Sequence, residues 1–221
     1  MHWRNVIGQK NLRNKLEYLI ETSQVPHSQL FIGPSGYGSL PLVIEFSLFL
    51  LEDKNVSNAA KKISERCQHP DLHFILPIVK KKNEKVVYSH DYIQDWLMFI
   101  DEKPYGSYSE WFESINVGNR QGLISIVDIE NVRKKISLKA FNGGARVCIL
   151  WGAEKMSNQA SNAFLKILEE PPKNTYFLLI GENQEEILSN KKYLEYPHVN
   201  EGDVMWSKIV YEEIDLSEKF N

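Results

Sequence analysis

Only two cysteines, Cys67 and Cys148, occur among the 221 residues, and they lie far apart. That count excludes a disulfide framework and a four-cysteine zinc site, and it suits a reducing compartment. Excess basic charge is lacking too: 26 lysines and arginines stand against 29 acidic residues, a net charge of −3. Without a global positive field, any nucleic-acid contact would have to be local or supplied by partners. No apolar run approaches membrane-spanning length, and Met1-His-Trp-Arg-Asn5 lacks the charged-then-apolar pattern of a secretory leader. A soluble cytoplasmic protein is the expectation. Repeats and low-complexity tracts are missing as well, which excludes solenoids and disordered linkers.

What is present is an ordinary globular composition, 43% hydrophobic and 25% charged. Leu12, Leu16, Leu19 and Ile20 recur at helical spacing, so a helix is predicted within residues 5–24, before a break at Pro26. Gln29-Leu-Phe-Ile32 reads as a short strand, Gly33-Pro-Ser-Gly-Tyr-Gly38 as a turn, and Leu40–Leu51 as a helix with Pro41 in its first turn. His69–Pro77 reads as a strand between prolines, and Lys80–Lys85 as a charged, solvated turn. Ser89–Ile100 reads as a helix capped by Ser89 or Asp91, and a further helix runs from a cap at Asp128 to about Ala140. Between them, Pro104–Asn119 is aromatic and turn-rich. It reads either as a surface insertion packed by its own aromatics or as a contact patch.

Ala145–Glu182 is the centre of the pattern. A buried-strand run over 146–152 leads into a helical stretch and then a second strand, Thr175–Glu182. Two such strands return in the same direction only within a parallel sheet, so an α/β sheet flanked by helices is predicted. Lys192–Pro197 is a candidate last strand, and the remainder to Asn221 is an acidic, weakly patterned tail.

The strand, glycine turn and helix at 29–51 form the context of a phosphate-binding loop. Such a loop needs glycines for backbone N–H donors, a lysine for the terminal phosphates and a hydroxyl for magnesium. Gly33, Gly36 and Gly38 hold the glycine positions, but Ser39 stands for the lysine and Leu40 for the hydroxyl. At the end of the 146–150 strand, where an NTPase carries acidic residues, stand Trp151 and Gly152. Both halves of the site are degraded, and neither a nucleotide nor a metal is expected here.

Ala153–Pro172, with its Leu-Lys-Ile-Leu-Glu-Glu-Pro-Pro core, closely resembles the bacterial clamp-loader subunits of DNA polymerase III. Val6-Ile-Gly-Gln9, Pro26-His27 before Leu30-Phe31, and His69-Pro-Asp-Leu-His-Phe74 match as well. With its degenerate loop the chain is similar to the delta-prime type, an AAA+ (P-loop NTPase-like) member that lacks ATPase activity. The Gly38-Ser-Leu-Pro-Leu42 form resembles the version found in Bacteroidetes-type bacteria. The resemblance covers roughly residues 5–190 and implies that Asn162–Pro172 faces a neighbouring subunit. Asn162, Lys166, Glu169, Glu170, Pro171 and Pro172 are then interface candidates. The two glutamates read equally as solvated helix termini.

The chain departs from the resemblance in three ways. The cysteine cluster of a small zinc module is reduced to Cys67, and one thiol cannot fill a tetrahedral site. The Ser-Arg-Cys motif expected after Leu188 is replaced by Ser189-Asn-Lys-Lys-Tyr193, and no arginine occurs after Arg146. A lysine there offers charge but no planar fork. The expected organisation is one α/β domain over 1–199 with an insertion at 101–123, then a short tail over 200–221, with lid and collar domains absent. The expected role is a non-catalytic delta-prime-type subunit. It would scaffold the ATPase and delta subunits that load the sliding clamp in DNA replication, with no cofactor and at most indirect contact with DNA. The alternative is a shortened paralogue with another protein-interaction role. An active NTPase is a third reading, opposed by Ser39, Leu40, Trp151 and Gly152.

Overall fold

The computed structural model describes residues 3–51, 63–80, 86–117, 120–141, 144–183, 187 and 209–213. In chain order the elements are α1 (Lys10–Glu21), β1 (Ser28–Ile32), α2 (Ser39–Leu51), α3 (Ile63–Arg66), β2 (Leu72–Ile75) and α4 (Ile93–Glu102). They continue with α5 (Tyr108–Ser114), α6 (Ile126–Ser137), β3 (Arg146–Trp151), α7 (Asn158–Glu169), β4 (Thr175–Gly181) and β5 (Ile209–Glu213). The strands form one sheet in the order β2-β3-β4-β1-β5, and every pairing is parallel.

A parallel sheet covered on both faces buries both sides of each strand, so its strands read as unbroken apolar runs. The alternation is nonetheless clear in where each side chain goes. From β3 and β4, Val147, Ile149, Trp151, Leu178 and Ile180 join the core shared with α1, α2, α4 and α5. Cys148, Leu150, Phe177 and Leu179 point the other way, into the core under α6 and α7. Burial pushes the Cys148 thiol up to about 12, so it behaves as a small apolar side chain.

Local chemistry sets the helix starts. Ser125 caps α6 by accepting from Asp128 N–H at 3.4 Å, while Asp128 Oδ2 accepts from Ser125 N–H at 3.3 Å. Asp128 is therefore the third residue of a capping box rather than the cap. Its other oxygen, Oδ1, accepts from Ser89 N–H at 2.7 Å. Ser89 Oγ accepts in turn from Leu76 N–H at 3.1 Å, so one buried carboxylate ties α6 to the end of the edge strand. Ser89–Tyr92 forms a 3-10 turn before α4, with Asp91 accepting from Tyr88 N–H at 2.9 Å.

Two expectations are corrected. The segment after Pro104 is not a surface insertion packed by its own aromatics. Ser107 and Glu110 close a capping box that starts α5, and Trp111 is fully buried against Trp96 and Phe99 of α4. The boundary after residue 199 is also overtaken: Ile209–Glu213, read as part of the tail over 200–221, pairs with Ser28–Ile32 as the fifth strand. The candidate strand Lys192–Pro197 and the charged run Lys81–Lys85 lie outside the described residues. Among the described residues no helix is long and apolar enough to cross a membrane.

Candidate functional site

The glycine turn joins β1 to α2 at the carboxyl end of the sheet. Gly36 and Gly38 have φ of +85° and +97°, a region that favours glycine, so the sequence itself dictates this loop shape. Gly33 N–H donates to Gly181 O at 3.1 Å, and Leu42 N–H to Gly38 O at 3.1 Å, anchoring the loop to β4 and to the first turn of α2. Gln9 reaches in from the N-terminal lead, its Nε2 donating to Tyr37 O at 3.4 Å. The loop architecture is intact.

Its contents are not those of a phosphate site. Ser39 and Leu40 are only 6% and 3% exposed, and Leu40 belongs to the core. Trp151 turns its ring into an aromatic cluster, with centroids 4.6 Å from Tyr108, 5.0 Å from Trp96 and 5.9 Å from Phe99. Tyr105, Gly106 and Tyr108 close over Gly36, Gly38 and Ser39, leaving a cavity of about 10 Å³, room for about one water. At its rim the Ser35 hydroxyl donates to the Glu182 carboxylate. Glu154, half-buried near Glu182, has its carboxyl pushed up, chiefly by burial. A triphosphate meets no cation among the lining residues and no room, and the one carboxylate at the rim, Glu182, already accepts from Ser35, so the residues present do not fit a nucleotide with its magnesium.

The zinc module fares likewise. Cys67 is 4% exposed, and burial raises its thiol far above the ordinary range, so it stays neutral. Among the described residues no group of three or more metal-ligating side chains comes together. Beside it, the fully buried Glu45 on α2 takes a two-pronged contact from Arg66, at 2.6 and 2.7 Å, and accepts from Asn5 Nδ2 at 3.0 Å. Spacing gave no hint of this pair, because its members are 21 residues apart.

The interface candidates sit elsewhere. Ser157 caps α7 by accepting from Ala160 N–H at 3.1 Å. Ala160, Phe164, Ile167 and Leu168 face the sheet, as their spacing predicts, and Phe164 meets Phe177 edge-on at 5.6 Å. On the opposite side Asn158, Asn162 and Lys166 form an exposed stripe that continues into the exposed Glu169 and Glu170. Pro171 and Pro172 are half-buried where the helix ends. The structure therefore separates the predicted residues into two groups: loop and strand-end residues that are packed away, and α7 residues that are exposed.

Sequence reading missed the partners of that closure. Tyr105 and Tyr108 lie in the aromatic, turn-rich stretch 104–119, whose composition does not say where its rings pack. The signal was there: Ser107-Tyr-Ser-Glu110 is a capping-box spelling, which marks the start of a helix. Arg146 was also missed as a clasp. Its guanidinium donates to Ile136 O at 2.7 Å, to Leu138 O and to Lys173 O at 2.8 Å, pinning the end of α6 to the turn before β4.

A parallel sheet in this order, with a glycine loop between its first strand and helix, defines a P-loop NTPase-like domain of the AAA+ kind. A profile of the family described as DNA polymerase III, delta subunit, matches residues 8–190, and the chain belongs to that family. Among curated relatives, DNA polymerase III subunit delta' of Buchnera aphidicola (subspecies Schizaphis graminum) is 28% identical over 151 residues, 60% of this chain and 44% of that protein. The subunit of the same name from Bacillus subtilis is 25% identical over 174 residues, 76% of this chain and 40% of that protein. That of Yersinia pestis is 48% identical over 58 residues, covering 25% of this chain and 17% of that protein. The matched region thus spans less than half the length of these relatives. Among solved structures, a DNA polymerase III gamma subunit-related protein of Thermotoga maritima aligns with 18% identity and a TM-score of 0.46. It covers 91% of this chain and 46% of that one.

Proposed function

We propose that the chain is a non-catalytic subunit of delta-prime type, one that braces neighbouring ATPase subunits in a complex acting on the sliding clamp during DNA replication. The observation that carries this reading is the phosphate loop closed by the chain's own aromatics, with a cavity of about 10 Å³. A domain that keeps the loop and fills it with packed rings has given up turnover but not rigidity. The exposed stripe of Asn162, Lys166, Glu169 and Glu170 supplies the contact surface, with Pro171 and Pro172 fixing where the helix stops. On this reading the protein works in the cytoplasm, holds no cofactor or metal, and contacts DNA only through its assembly.

The shortened-paralogue reading is favoured by one observation, the absence of any arginine after Arg146. Where the resemblance implies an arginine, after Leu188, the chain has Ser189-Asn-Lys-Lys192, and a lysine offers no planar fork. Co-purification with the delta and ATPase subunits of the same organism decides between the two. Association at low salt, weakened by Lys166→Glu, is the expected result. A chain that stays apart while the other subunits assemble with each other belongs to the paralogue reading.

A further inference from the structure

Tyr105 holds an unusual position in the closure. It lies in the turn between α4 and α5, yet its hydroxyl reaches back about a hundred residues to the N-terminal lead. There it accepts from Ile7 N–H at 2.7 Å and donates to Asn5 O at 3.1 Å. Its ring lies against the phosphate loop, where a Cβ built on Gly38 would come within 3.2 Å of Tyr105 Cε1. The next residue has to be glycine: a Cβ on Gly106 would lie 2.4 Å from Phe99 Cζ and 3.0 Å from Lys103 O. Tyr108 seals the far side, its ring tilted at 50° against Trp151 and with Lys155 Nζ 5.6 Å from its centroid. One short segment therefore touches the N-terminal lead, the loop glycines and the end of β3.

We propose that Tyr105 is a built-in ligand: its phenol fills a site shaped for a neutral, planar heteroaromatic and latches the N-terminal lead onto the phosphate loop. The proposal rests on the non-catalytic reading above and deepens it. A backbone N–H and a carbonyl two residues apart offer the donor and acceptor that an adenine edge pairs with, through a ring nitrogen and its amino group. The tyrosine hydroxyl satisfies both at once, because it accepts and donates. The ligand class is neutral because the loop lacks a lysine and the Glu182 carboxylate sits at its rim. Burial raises the Tyr105 hydroxyl's pKa, so it remains a donor across the physiological range.

The test uses the full chain with Tyr105→Phe and Tyr105→Gly, and adenosine and magnesium-ATP as probes. In Tyr105→Phe the ring stays and only the hydroxyl goes. The Ile7 amide is expected to exchange with solvent about tenfold faster, the loss of roughly one hydrogen bond, with the amides of the sheet unchanged. In Tyr105→Gly, adenosine is expected to bind saturably, and more tightly than magnesium-ATP, whereas the natural chain binds neither. An unchanged Ile7 amide in Tyr105→Phe overturns the latch, and so does a folded Tyr105→Gly that ignores adenosine; either result leaves the scaffold reading standing. In Tyr105→Gly, magnesium-ATP binding more tightly than adenosine overturns the neutral ligand class, whereas magnesium-ATP binding by the natural chain sinks the scaffold reading instead. If Tyr105→Gly does not fold, the exchange result with Tyr105→Phe decides alone.

Discussion

Two strand-to-helix junctions open at the carboxyl end of the sheet, with β4 between their strands, and they differ in what surrounds them. At β1 to α2 the glycines survive, the charged and metal-binding side chains are gone, and tyrosines and tryptophans from elsewhere have filled the space. At β3 to α7 the strand ends in Trp151 and Gly152, and the helix beyond carries a polar stripe that is exposed among the described residues. The first junction explains itself inside the chain, because each ring there adds packing. The second is different: Asn162, Lys166, Glu169 and Glu170 are exposed and contribute little packing, which leaves them free for the contact role proposed above.

That contrast is open to attack at several points. The largest effect is expected at Trp111, fully buried beneath the closure and donating to Pro77 O at 2.9 Å. Trp111→Ala should cost about 3–5 kcal/mol, read as a fall in the urea midpoint. A cost under about 1 kcal/mol would mean that the aromatics are not structural. Nearly as large is Glu45→Ala, which leaves the half-buried Arg66 and Asn5 without their partner and should cost about 3 kcal/mol. The double change Glu45→Met with Arg66→Leu should recover much of that loss in the same unfolding experiment.

Acid sharpens the comparison on the other face of the sheet. Burial, helped by Lys135, lowers the His73 pKa from 6.5 to about 4. Between those values the unfolded chain takes up a proton that the folded one refuses, so this contribution is fully present above pH 6.5 and lost as pH falls towards 4. His73→Asn should flatten that limb of a stability–pH curve; an unchanged curve would place the acid sensitivity elsewhere. Smaller still, Ser125→Ala removes the α6 cap and should cost about 1 kcal/mol by thermal unfolding. The smallest effect on stability, within about 0.5 kcal/mol, is expected for Lys166→Glu, although this change should weaken association most. A Lys166→Glu chain that is destabilised by several times that amount would make the stripe structural and dissolve the contrast.

Much of this was legible beforehand because the informative signals are local. The 3.6-residue spacing of Ala160, Ala163, Phe164, Ile167 and Leu168 marks the sheet side of α7, with Ala163 only partly buried, and the glycine spacing at 33–38 marks the loop. Ser39, Leu40, Trp151 and Gly152 announced the missing chemistry by what they are not. What was hidden is long-range. The Tyr105 contacts with Asn5 and Ile7, and the Glu45–Arg66 pair, join segments that no periodicity links. The α5 capping box was readable but was outweighed by the glycine, proline and serine around it. Ile209–Glu213 went unrecognised because an edge strand paired on one side needs no continuous apolar run, and Ile-Val-Tyr-Glu-Glu carries only a short one.

The central claim is that this loop has kept its shape and lost its ligand. A calorimetric titration of the full chain with ATP and magnesium tests it most directly. No saturable heat is expected at millimolar ATP. Micromolar binding that disappears when Gly36 or Gly38 is changed would contradict it.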